Sequence, residues 1–502
     1  MIQGMEDFKI HLQEIFDLRG AAAVLSWDQS TYMPGGGAAA RGRQTALLAR
    51  LSHEKQTDPA LGRMLEKLEA QADNLSYDSD EAGLLRVARD NFDKASKIPN
   101  AFIAELNEHA SESYQVWSAA RPANDFKAVQ PYLEKTLDIS RRLANFFPGY
   151  ESIMDPLIDF PDPGMKVSSV SKLFDELRQA LVPMVLAIAE QDPLDDRCLF
   201  LAYPPESQIA YGSEVVKAFG YDFERGRQDM SPHPFTTSFS IGDVRITTRV
   251  KERDLREALF STLHEAGHGM YEQGINAEFE GLPIADGSSS GVHESQSRLW
   301  ENVVGRSRGF WSFQYPKLQA IFPDQLGKVS LDSFYGGINK VERSLIRTDA
   351  DELTYNLHVM IRFDLELALL EGKLAVKDLP DAWNARYKQD LGIEPPDDRD
   401  GVLQDVHWYA GPIGGMFQGY TIGNVLSAQF YEAALDAHPE IPVEISEGKF
   451  ETLHRWMKDQ IYQYGKKYSA DELVKRTTGG GIRVGPYLSY LHTKFGELYE
   501  LG

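Results

Sequence analysis

Residues 264–268 read His-Glu-Ala-Gly-His, a spacing that specifies chemistry as soon as it is placed on a helix. His264 and His268 then stand one turn apart on the same face, about 6 Å between Cβ atoms, where two imidazoles can share one metal ion. Glu265 is rotated from them by about 100°, so its carboxylate can meet a metal-held water without ligating the ion. Zinc lowers the pKa of such a water to about 7. Glu265 would take the proton as this metal-activated water attacks a scissile carbonyl, then pass it to the leaving amine. The plain alternative is a helix with two solvated histidines and a surface glutamate. Gly267 argues against it, because glycine costs about 1 kcal/mol relative to alanine inside a helix and is better explained where something approaches that face closely. A catalytic zinc needs a third protein ligand and keeps its fourth position for water. Glu294, 26 residues beyond His268, leaves room for a loop and a returning helix and is the expected ligand. Glu301 lies further along the same face as an outer partner or the ligand itself, and His293 is the competing imidazole.

The flanking sequence predicts the elements that must hold these groups. Asp254 and Glu257 resemble an N-cap with its reciprocal partner. Leu255, Leu259, Leu263, Ala266 and Met270 follow as a helical stripe, and Gly274 is the expected stop. Just upstream, 236–241 and 244–250 are rich in β-branched residues and flank Gly242-Asp243, a hairpin signal. Elsewhere helical periodicity dominates. Stripes begin at Leu12, Ile15 and Phe16, continue through Leu84, Leu85 and Val87, and recur in 170–190, 355–375 and 450–463. The expectation is a mainly α protein with a small β element before its chemistry. No polar linker marks a boundary, so residues 1–502 are expected to form a single catalytic body.

The totals exclude several function classes. Among 502 residues, 52 basic side chains face 75 acidic ones, a formal charge of −23. Such a surface repels phosphate backbones and anionic lipids, which disfavours nucleic acid and membrane as partners. The single cysteine, Cys198, cannot form an internal disulfide, and its apolar setting at 198–202 predicts a buried structural residue rather than a nucleophile. The start of the chain lacks the features of a signal peptide, and the longest apolar stretch, 181–189, is broken by Pro183 and too short to span a bilayer. Cytoplasm is the expected location.

Seven blocks in order carry a resemblance. The first is Trp27-Asp28-Gln29-Ser30-Thr31 with Met33-Pro34, Gly36 and Arg41, followed by His233-Pro234-Phe235 and Asp243-Val244-Arg245-Ile246-Thr247. The helix at 264–268 and His293-Glu294-Ser295-Gln296 come next, then Ile346-Arg347-Thr348-Asp349-Ala350-Asp351 and Gly401-Val402-Leu403-Gln404-Asp405-Val406-His407-Trp408. The chain resembles the M32 family of metallocarboxypeptidases, the carboxypeptidase Taq family, nearly end to end. That resemblance implies a mostly helical fold with a long substrate groove, a divalent metal (zinc or cobalt), a homodimer, and release of single residues from peptide C-termini. It also supports Glu294 as third ligand. One run departs from the family pattern. Where an aromatic-Phe-Pro-Ser/Thr-Tyr sequence is expected, this chain has Met416-Phe417-Gln418-Gly419-Tyr420, and the missing proline is expected to loosen the loop carrying Tyr420.

Further roles follow. Tyr420 is the expected donor to the developing oxyanion, with His407 second. Arg347 is the expected anchor for the substrate carboxylate through two parallel hydrogen bonds, its structural alternative being an ion pair with Asp349 or Asp351. His233, Gln404 and Arg249 are further substrate-side candidates, although strand-end arginines such as Arg249 are commonly solvated. The hairpin could offer an edge to an extended peptide or be purely structural. Two rivals remain. One is a zinc oligopeptidase that cuts internal bonds; the other is a non-catalytic helical protein with structural zinc. Closed zinc sites usually use four protein ligands including Cys, and Cys198 is far away in sequence.

Overall fold

A computed structural model describes residues 3–72 and 74–501. Helix dominates: the described residues form 21 α-helices and one three-stranded sheet, so the mainly α expectation holds. The sheet comprises β1 (Gln228–Met230), β2 (Thr236–Ser240) and β3 (Asp243–Thr248) in the order β1-β3-β2. The hairpin signal corresponds to β2 and β3, which pair antiparallel with Thr236 opposite Ile246 and a bulge between Ser238 and Ser240. β1 adds in parallel to β3. With three residues and no alternation, it left no strand pattern to find.

The backbone divides into two compact units, each assembled from three chain segments. The first contains Met1–Ser96, Asp195–Ile338 and Phe430–Gly481; the second contains Lys97–Leu194, Asn339–Gln429 and Ile482–Gly502. Within the first, Phe8, Leu12 and Ile15 of the helix Met5–Thr31 pack with Leu61, Leu65, Leu84 and Leu85, and with Leu282 and Ile284 beyond the metal-motif helix. The stripes at 12–15 and 84–85 are therefore core faces. Within the second, the helix Tyr355–Leu370 is buried on nearly every side, which explains its weak amphipathic signal.

Cys198 lies in the short turn Arg197–Phe200 and is half-buried, not buried as its setting suggested. Leu199 is the residue that packs inward, while Phe200 and Leu201 face outward. Burial, with Asp195 and Asp196 nearby, pushes the thiol up to about 11, so it offers no thiolate near neutral pH. No helix among the described residues is long and apolar enough to cross a membrane.

Candidate metal centre

The helix Leu255–Gly274 carries the metal motif. Asp254 caps it by accepting from the Arg256 amide at 3.1 Å. The expected reciprocal bond from Glu257 is not made. Glu257 instead takes Arg249 at 2.8 Å and Lys251 at 2.9 Å, a stronger charge-assisted arrangement. The helix does stop at Gly274, and packing explains the glycine itself: a Cβ there would sit 2.5 Å from Tyr462 Cδ2. Gly267 is explained in the same way. A Cβ on it would lie 2.5 Å from the Gln296 carbonyl oxygen and 2.6 Å from Ser297 Cα, so the close approach inferred from its cost is that of another backbone.

That backbone belongs to the returning helix Ser290–Arg298, capped by Ser289, whose hydroxyl accepts from the Val292 amide at 3.1 Å. It runs on into a π-helical turn, Leu299–Val304, whose wider winding carries Glu301. Glu294 on the returning helix meets both motif histidines. Its Oε2 lies 3.6 Å from His264 Nε2 and 3.3 Å from His268 Nε2. Donors each about 2.1 Å from a tetrahedral zinc are about 3.4 Å apart, so the spacing fits an ion held between them. His264, His268 and Glu294 form a candidate metal-binding group, with ligand atoms within 4.8 Å of one another.

The other candidates for third ligand stand one shell out. Glu301 Oε2 takes the far nitrogen of His264, Nδ1, at 2.9 Å, and it also accepts from Arg298 at 3.2 Å. His293 Nδ1 lies 2.6 Å from His268 Nδ1, and its Nε2 lies 2.7 Å from Glu272. Arg298 Nε donates to the other oxygen of Glu294, Oε1, at 2.7 Å. Burial alone would raise Glu294, but Arg298 and the two imidazoles outweigh it and hold the carboxylate well below its ordinary range. Burial pushes His268 down to about 3, which keeps its ring neutral and available as a ligand. Arg298 and Glu272 escaped the sequence reading as participants. Glu272 carried a signal, four residues after His268 on the same helix; Arg298 at i+4 from Glu294 carried another.

Glu265 is buried beside this group, and the Thr236 hydroxyl donates to its Oε2 at 2.6 Å. Burial raises its pKa above the ordinary carboxylate value, while His264 and Thr236 hold it back. The first residue of β2 thus orients the candidate base.

Arg347, Gln404, His407 and Tyr420 gather in the second unit. Arg347 is 7% exposed, and its partner is neither Asp349 nor Asp351 but Asp405, at 2.9 Å and 3.4 Å. Asp351 is occupied with local amides and the Thr354 hydroxyl. Arg362 also donates to Asp405, at 2.7 Å, and the His407 Nδ1 meets the same carboxylate. The rings of Phe417 and Tyr420 each lie 5.4 Å from the Arg347 guanidinium carbon. Tyr420 OH is 3.5 Å from His407 Nε2, at the edge of hydrogen-bonding range.

Gln404 has a different task from the substrate contact expected of it. Its oxygen accepts from the Arg347 amide and from Arg362, at 3.0 and 2.8 Å, and its nitrogen donates to the Leu345 and Asp400 carbonyls at 3.0 and 2.9 Å. All four bonding directions are spent on positioning the arginines. The run at 416–420 is also not loose. Gln418 is fully buried, and its amide donates to Asp162 at 3.0 Å and to the Gly415 carbonyl at 2.7 Å, tying down the start of the helix Phe417–Ala437. His233 and Arg249, the remaining substrate-side candidates, flank the hairpin strands. His233 is exposed in the connection between β1 and β2, and Arg249 follows β3 as an exposed partner of Glu257.

Two imidazoles and a glutamate on crossing helices, with a buried glutamate beside them and no cysteine, define a metallopeptidase-type centre on a helical scaffold. The chain belongs to the family described as Carboxypeptidase Taq (M32) metallopeptidase, whose sequence model matches residues 7–495. It is 40% identical over 492 residues to thermostable carboxypeptidase 1 of Thermus thermophilus, covering 96% of each chain. It is 35% identical over 491 residues to carboxypeptidase 1 of Bacillus subtilis, covering 98% of this chain and 97% of that one. Among solved structures, an M32 carboxypeptidase from Deinococcus radiodurans R1 is 50% identical and superposes with a TM-score of 0.96 over 99% of each chain.

Proposed function

We propose that this protein is a zinc-dependent carboxypeptidase that releases single amino acids from the C-termini of peptides. The observation that carries the reading is the convergence of His264, His268 and Glu294 at tetrahedral ligand spacing, with Glu265 buried alongside. Two imidazoles and one carboxylate leave a coordination position open, the pattern of a catalytic zinc site; cobalt suits the same donors. When bound, the metal supplies Lewis acidity at the carbonyl and a water acidified to about pKa 7. Glu265 accepts the proton of the attacking water and returns it to the leaving amine, with Thr236 holding the carboxylate in place between the two transfers. Tyr420 is the proposed donor to the carbonyl oxygen as it gains charge, with His407 second.

Restriction to the chain end needs a cation that reads the free carboxylate. Arg347 and Arg362 share the single carboxylate of Asp405, which leaves one positive charge of the group uncompensated by it. Arg347 also donates to the Tyr355 hydroxyl at 3.1 Å, but it keeps 7% of its surface exposed while Arg362 is fully buried, so Arg347 is the proposed anchor. We propose that residues 1–502 act as one catalytic body. A homodimer in the cytoplasm, with peptides rather than nucleic acid or membrane as partners, completes the reading; light scattering tests the dimer.

The deciding experiment compares wild type and Arg347→Ala on matched tripeptides with free and amidated C-termini. Truncating one partner of a desolvated charge pair costs about 2–5 kcal/mol, so the variant is expected to lose at least ~30-fold in kcat/KM on free ends. Wild type is expected to cut amidated peptides barely at all. Equal cutting of both by wild type would establish the oligopeptidase alternative instead.

A further inference from the structure

Behind His264 stands a carboxylate, Glu301, at 2.9 Å. Behind His268 stands a second imidazole, and only behind that a carboxylate. His268 Nδ1 and His293 Nδ1 are 2.6 Å apart, and His293 Nε2 lies 2.7 Å from Glu272 Oε1. Glu272 is one turn beyond His268 on the same helix and is 7% exposed. The two ligand histidines are therefore supported differently, and the support of His268 depends on where a proton sits in a neighbouring ring.

Two ring nitrogens at this separation hold one proton between them. With none, their lone pairs repel; with two, the hydrogens collide. If His268 owns the proton, its neutral ring has its lone pair on Nε2, the atom that faces Glu294 at 3.3 Å. If His293 owns it, a neutral His268 carries its proton on Nε2 and has no lone pair for an ion. An ionised carboxylate only accepts, so Glu272 requires a proton on His293 Nε2. A neutral His293 that keeps its proton there leaves Nδ1 bare, as the acceptor for His268.

We propose that Glu272 is a positioning residue for the metal centre: acting through His293, it sets the tautomer of His268 and so the affinity for the ion. It does this without touching any ligand atom. The inference rests on reading His264, His268 and Glu294 as a metal site, and the experiment separates the two.

Zinc affinity is measured on the metal-free full-length protein by competition with a chromogenic chelator. In Glu272→Gln, the side-chain amide can donate to His293 Nε2 and so admits the wrong tautomer. Zinc affinity is expected to fall about ten- to a hundredfold. His293→Phe removes the acceptor and is expected to fall at least as far. Because Glu272 acts only through His293, adding Glu272→Gln to His293→Phe should change the affinity by less than about twofold. His293→Asn keeps an oxygen near the Nδ1 position, and it is expected to recover most of the affinity and to make Glu272→Gln silent. Wild-type affinity in Glu272→Gln, or additive losses in the double variant, would overturn the relay. So would a loss that merely follows the melting temperature of the zinc-free protein, with His293→Asn no better than His293→Phe. A wild type that binds no zinc overturns the metal site itself.

Discussion

Glu265 is held between two demands. Burial favours its protonated form, while the Thr236 hydroxyl and the His264 ring favour the carboxylate, a balance suited to a group that must take a proton and give it back. Glu265→Gln keeps the shape and removes the proton acceptor; activity is expected to fall by at least ~100-fold with metal content, read by atomic absorption, unchanged. Full metal with activity within tenfold of wild type would remove Glu265 from the mechanism. Glu294 and Glu301 should separate in the same assay. Glu294→Ala leaves two imidazoles and is expected to lose most of the metal, whereas Glu301→Ala removes a partner of His264 and Arg298 and is expected to weaken binding about 10–100-fold. At this scale the candidate metal-binding group and the glutamate beside it were legible, because four residues in two short runs carry the whole pattern. The role of Gln404 was not. Its family block gives residue order, but only the fold reveals that its amide is spent on Arg347, Arg362 and two carbonyls.

Two crossing helices and a hairpin do the positioning, and their contact is backbone on backbone. Gly267→Ala would bring a methyl group to 2.5 Å from the Gln296 carbonyl, where no side chain can swing away. The helices must part, at a cost of about 1–3 kcal/mol. Because Glu294 rides on the displaced helix, zinc affinity is expected to fall together with the melting temperature; an unchanged zinc titration would mean that the helices part without moving Glu294. The helix at 255–274 was legible from its stripe and its cap. The hairpin was legible from its β-branched residues, but its task was not, since nothing local links Thr236 to a carboxylate 29 positions away. Glu257 went astray for a related reason: the capping pattern is local, and Arg249 and Lys251 outbid it with charge.

At the scale of the whole chain, each unit draws on distant segments, and a buried acid in the second unit ties its stability to pH. Glu366 is buried, the Trp408 indole N–H donates to its Oε1 at 2.7 Å, and burial pushes it up to about 8. An unfolded glutamate titrates near 4.3. The folded state therefore holds the proton more tightly, and the stability it contributes is complete below about pH 4 and lost as the pH rises toward 8. Glu366→Gln, which resembles the protonated acid, is expected to flatten the fall in melting temperature between pH 5 and 8.5; parallel curves for the two proteins would assign that fall to other groups. The mainly α class was legible from periodicity, while the division into units was not, because no linker composition marks five crossings between interleaved segments. Interleaving has a consequence in time. Tyr462 packs against Tyr271, Gly274 and Trp300, yet it is synthesised about 190 residues after the metal-motif helix. At about 5–20 residues per second, the ligands leave the ribosome roughly ten to forty seconds before the ring that buttresses them. Through that interval the two histidines and the glutamate are already made while the ring that packs beneath their helices is still unwritten.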